Sequence, residues 1–160
     1  IAAVEHYTCA LGVIVLRAKN WEYSDADPVV ADLFRWHGAE EMEHRTVAFD
    51  LYQHLGGNLP TRAALMAVVM PLLSYLLIDG TSRLMQQDPA VAPRDARVLG
   101  FGFWRAFYRA AQAGNAPSFP WLLMHGFRFL RRDYNPVNEA STQEALAYIN
   151  ASPGVLANAA

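Results

Sequence analysis

From Trp36 to Asp50 the chain reads Trp-His-Gly-Ala-Glu-Glu-Met-Glu-His-Arg-Thr-Val-Ala-Phe-Asp. At about 100° per residue, His37, Glu41 and His44 fall within about 60° of one another on a helix. Their neighbours on that stripe are Val30, Phe34, Ala48, Leu51 and Leu55, so the stripe is expected to face a core. The opposite face carries Asp32, Arg35, Glu43, Thr46, Asp50 and Gln53 and reads as solvated, with Glu43 pairing to Arg45 or Lys19. Three ionisable groups therefore stand where apolar side chains belong. A carboxylate buried without a partner costs several kcal/mol, so a cation or donor is expected beside it. Glu41-x-x-His44 aims one carboxylate and one imidazole at a common point, the way helical bundles assemble carboxylate-bridged metal sites. Chance gives that spacing to many helices; the second histidine, one turn ahead of Glu41, tips the balance toward metal. His37 itself reads as a ligand, as a donor to a ligand carboxylate, or as a core histidine.

A further carboxylate lies upstream. Residues 1–19 are apolar almost all round, and Glu5 shares its stripe with Ile1, Ala2, Cys9, Gly12 and Leu16. A helix apolar on every side is a buried helix, so Glu5 needs a partner inside. A hydrogen-bonded core carboxylate would satisfy this as well as a metal ligand; beside Glu41 and His44 the metal is favoured.

The run Glu5-His6-Tyr7-Thr8, followed by Trp36-His37-x-x-Glu40-Glu41-x-Glu43-His44 and Val47-Ala48-Phe49-Asp50, resembles the bacterial family called predicted metal-dependent hydrolases. The resemblance is specific across residues 5–56 and loose beyond. It implies a ferritin-like four-helix bundle in which two helices each contribute a Glu and two each contribute a Glu-x-x-His. On that pattern Glu5 is the third helix's carboxylate, and Glu41 with His44 is the fourth helix's pair. No second Glu-x-x-His occurs in the chain. The expectation is therefore the C-terminal part of a longer protein, or a short form that completes its site with a second copy. Family members often carry Phe-His-Pro-Trp near the end; here Asp133-Tyr134-Asn135-Pro136-Val137-Asn138 stands instead, and no role is carried over to it.

The fold class expected is all-α: part of a ferritin-like bundle with additional C-terminal helices. Residues 1–160 form a single helical domain, with 1–56 as the metal-site helix pair and 57–160 as the C-terminal helices. Asp27 caps a helix that has Pro28 at its first position and runs to Leu55, stopped by Gly56-Gly57. A second spans Thr61–Gln87, near-uniformly apolar from Ala63 to Ile78. That stretch is shorter than the ~20 residues a bilayer requires and contains Pro71, so it reads as a buried, kinked helix and not a membrane span. Helices are also expected over Pro93–Ala113 and Pro120–Arg132, and Ser141-Thr142-Gln143-Glu144 forms a capping box for a last short one. The aromatic and arginine-rich stretch 101–134 suits a packed core best, with a substrate channel or a membrane interface as other readings. His6 points about 100° away from Glu5 and reads as structural.

Apolar residues make up 53% and charged residues 18%, against about 45–50% and 25% in typical soluble chains. Surface that something else covers is expected. A net charge of −2 offers no footprint for nucleic acid. One cysteine, Cys9, excludes an internal disulfide and agrees with a cytoplasmic location.

The metal sites expected are Glu5, Glu41, His44 and His37, holding one or two divalent ions. Carboxylates with few imidazoles and no thiolate suit Fe or Mn before Zn. Three function classes follow. One is a metal-dependent hydrolase, as the resemblance implies, for which a small-molecule, hydrophobic substrate is the partner expected. Another is a di-iron or iron–manganese oxidase or oxygenase, and the last a non-catalytic helical interaction domain.

Overall fold

A computed structural model describes residues 1–18, 21 and 26–158, and every described regular element is helical. The elements are α1 (Ala2–Arg17), α2 (Pro28–Glu43), α3 (Val47–His54), α4 (Leu59–Gln87), α5 (Phe101–Gln112), α6 (Phe119–Phe129), a 3-10 turn (Pro136–Glu139), α7 (Thr142–Ala151) and α8 (Pro153–Asn158). Four of the α-helix starts are written locally. Asp27 accepts from the Val29 and Val30 amides ahead of α2, Asn58 from Thr61 ahead of α4, Ser118 from Trp121 and Ser141 from Glu144. Each side-chain oxygen satisfies a donor that the first helical turn leaves open. Gly56, at φ 79°, ends α3 in the left-handed conformation that glycine adopts without strain.

α1 is the centre of the molecule. It packs antiparallel to α2 on one side and against α4 and α6 on the other, while α7 and α8 pack on α2. Two apolar clusters result. Ala2, Ala3, Phe49, Met66 and Phe129 join α1 to α3, α4 and α6. Cys9, Ala39, Met42 and Ala145 join it to α2 and α7. Between α1 and α2 the backbones nearly touch: a Cβ on Gly12 would lie 2.5 Å from the Gly38 carbonyl oxygen. Only glycine permits that approach.

The structure departs from the sequence expectations in six places. The helix from Pro28 does not run to Leu55 but breaks at His44–Thr46. No glycine or proline marks the break. Arg45 accounts for it: its buried guanidinium donates to the carbonyls of Pro136 and Val137, to the Thr142 hydroxyl and to the Met42 carbonyl. Arg45 is therefore not the surface partner of Glu43, and Lys19 lies outside the described residues. The buried face of α2 is Gly38, Ala39 and Met42, not the stripe through His37; Val30, Phe34, Leu51 and Leu55 are exposed. Asp32 and Arg35 are not simply solvated. Asp32 accepts from Tyr148, Ser152 and the Gly154 amide, and Arg35 donates to the Ala18 carbonyl.

The helix expected from Pro93 begins only at Phe101. Residues before it turn back, with Ala96 O accepting from Ser82 and Val98 O from the Trp104 indole. The largest departure is α4, which is not buried. Only 6% of its most apolar stretch is covered, although the mean hydropathy there is 1.9.

Candidate metal centre

Glu5 on α1 faces α2 because it lies 200° around the helix from Tyr7, whose hydroxyl is hydrogen-bonded to Ser74 on α4. Thr8 and Gly12 share the Glu5 side, and the Gly12–Gly38 crossing brings that side close to Glu41. The break after Glu43 leaves His44 at the end of α2, where its Nδ1–H donates to Glu5 Oε2 at 2.9 Å. Thr8 Oγ1 donates to Glu41 Oε2 at 2.6 Å. One ligand atom from each of Glu5, Glu41 and His44 can be chosen so that all lie within 4.8 Å of one another. All three side chains are partly buried, Glu41 most (16% exposed) and His44 least (40%).

His37 lies at the rim. Its side chain is 60% exposed, with Nε2 3.5 Å from Glu41 Oε1 and Nδ1 3.7 Å from Glu40 Oε2. It touches a carboxylate of the cluster without sharing the cluster's common point. The sequence gives no sign of a role for Thr8 beyond its place one turn after Glu5 on the same stripe. Its partner depends on the helix crossing, which no local pattern encodes.

Ligands held at about 2.0–2.2 Å by one ion lie at most about 4.4 Å apart. The 4.8 Å bound on the cluster is close to that limit, and two carboxylates with an imidazole are a donor set suited to a single divalent cation. A carboxylate-bridged pair of ions draws on about four Glu and two His, more than this cluster provides.

His6, next to Glu5, serves the fold instead. Its Nε2–H donates to the His125 carbonyl and its Nδ1 accepts from the Tyr134 hydroxyl, both at 2.8 Å. Burial, with Arg128 and Arg62 nearby, lowers its pKa from 6.5 to about 4. Burial likewise pushes the Cys9 thiol up to about 12, and the charges of Glu41 and Glu5 add to the shift. Cys9 is an apolar packing residue and no nucleophile.

A model of the family described as predicted metal-dependent hydrolases matches residues 1–140. The chain belongs to this family. The match takes in α1 to α6 and the 3-10 turn, and with them the whole Glu5–Glu41–His44 cluster; α7 and α8 lie beyond it. No curated protein and no solved structure matches the chain.

Proposed function

We propose that this chain carries the metal centre of a hydrolase in which Glu5, Glu41 and His44 hold one divalent ion. The observation that supports it is the convergence of these three groups within 4.8 Å, in a family described by metal-dependent hydrolysis. Two carboxylates and one imidazole, without thiolate, suit Fe(II) or Mn(II) before Zn(II). Bound there, such an ion supplies Lewis-acid polarisation of a substrate oxygen and a water acidified toward neutral pH. The protein's own part is positional. Thr8 fixes one oxygen of Glu41 through its 2.6 Å hydrogen bond. His37, open to solvent and 3.5 Å from the other oxygen, is the group placed to carry a proton to and from the rim.

A small apolar groove of about 180 Å³ begins one helical turn from the cluster, at Ile1 and Ala48, and continues along Leu51, Leu55 and Leu65. It suits the apolar part of a small substrate. The α1–α2 pair is taken as one half of a ferritin-like bundle, whose remaining ligands would come from further helices or a second copy.

Metal analysis of the purified protein, coupled to ester and amide hydrolysis assays, tests this reading. Glu41→Ala and His44→Ala should lose bound metal and turnover together, whereas Glu43→Ala, whose side chain is exposed on α2, should retain both. Retention of metal by Glu41→Ala would sink the assignment. Bound iron with an oxo-bridged absorption band and no hydrolysis would move the protein to the redox class.

A further inference from the structure

The surroundings of α4 contradict its composition. Among the described residues it alone is long and apolar enough to cross a membrane. Helices that pass that test in soluble proteins are commonly core helices, mostly buried; here 6% of the stretch is buried. It is not a leader segment either, since it lies inside the matched family region, between the metal cluster and α6. Leu65, Val68, Leu72, Tyr75, Leu76 and Leu77 are all exposed. Together they present a broad apolar surface larger than scattered single residues explain.

We propose that the free face of α4 lies on the surface of an anionic lipid bilayer, in the plane of the membrane. Ser74, Arg62 and Asp79 each engage other groups of the protein, as a lipid contact favours. Ser74 is hydrogen-bonded to Tyr7, Arg62 is buried over the rings of Phe49, Phe129 and Tyr134, and Asp79 pairs with Arg83 at 2.6 Å. On α6, which packs on α4, Leu123 and Phe127 are exposed too. Charge is divided accordingly. Residues 57–160, which contain α4, have nine arginines against six acidic residues, whereas residues 1–56 have four basic against nine acidic. Arg83, exposed on α4 itself, and Arg132, beside Leu59 and Pro60 at its start, flank the apolar face, and basic residues there favour anionic lipid.

An in-plane pose follows from the layering. Although α4 is long enough to cross, its uncharged stretch 63–78 is about 24 Å at 1.5 Å per residue, so spanning the ~30 Å hydrocarbon core would carry Arg62 or Asp79 into it. An upright α4 would also draw α1 and α2 into lipid with Glu40, Glu41 and Glu43. Lying flat, α4 leaves the metal cluster on the opposite side of α1, facing water.

Flotation with vesicles of phosphatidylcholine and phosphatidylglycerol tests the proposal on the full chain. Wild type should float with the vesicles, and Leu72→Glu/Leu76→Glu should bind at least about tenfold more weakly. Leu33→Glu, an equally exposed leucine on α2, should bind as wild type does, and circular dichroism should show all three equally helical. Wild type remaining in the soluble fraction, or the α4 variant floating equally well, would overturn it. So would a dimer in vesicle-free gel filtration that Leu72→Glu/Leu76→Glu dissociates, because protein would then cover the face. Metal content should be the same in every variant, which separates failure here from failure of the metal assignment.

Discussion

Glu41 is held from two sides: Thr8 binds one carboxylate oxygen and His37 stands beside the other. A hydrogen bond that orients a metal-binding carboxylate commonly affects affinity by one to two orders of magnitude when removed. Thr8→Val, which keeps the shape and removes the hydroxyl, should weaken Mn(II) or Fe(II) binding about tenfold in isothermal titration while leaving the metal-free melting temperature within a few degrees. Unchanged affinity would make Thr8 a spectator. His6 gives a second test at this scale, on stability. Its pKa falls from 6.5 to about 4 in the folded chain, so between those values the unfolded chain binds more protons. Stability is therefore full above pH 6.5 and is lost as the pH falls toward 4, by about 3 kcal/mol from this group. His125, also lowered by burial, adds in the same direction. Denaturant unfolding of His6→Gln across this window should show a shallower slope than wild type.

The α1–α2 pair depends on two glycines for its spacing and on one arginine for its ending. A methyl at Gly12 meets the Gly38 carbonyl oxygen at 2.5 Å, so Gly12→Ala must push the helices apart. Overpacking of that kind costs about 1–3 kcal/mol, partly offset by alanine's better helix propensity. We expect a net loss of about 1–2 kcal/mol in urea unfolding, together with weaker metal binding, because Glu5 and Glu41 stand on opposite sides of the crossing. Arg45 makes the other test. Arg45→Met leaves the buried Pro136 and Met42 carbonyls without this donor, and buried unpaired acceptors cost about 1–3 kcal/mol each. A loss of about 3 kcal/mol is expected by the same measurement. A loss below 1 kcal/mol would show that the break at His44 is held by something else.

At the scale of the whole molecule, α1 divides two chemistries: the carboxylate–imidazole cluster on its α2 side and the apolar sheet of α4 and α6 on the other. Much of this was legible in residue order. The all-helical class, the capped starts at Asp27 and Ser141, the stop at Gly56 and the Glu5, Glu41 and His44 side chains could each be read locally. Caps act through hydrogen bonds two or three residues away, and a helix sets the angle between side chains one turn apart. Three features could not be read that way. The inward stripe of α2 was misplaced because periodicity gives relative angles along one helix, whereas the Gly12–Gly38 contact and the cover of α7 set which angle faces inward. The break at His44 escaped notice because its cause, Arg45 reaching carbonyls some 90 residues downstream, leaves no breaker in the local sequence. Composition made α4 apolar, but an apolar helix can be covered by protein or left bare. Only the packing of its neighbours, which touch a narrow stripe from Arg62 to Ser82, left most of it uncovered.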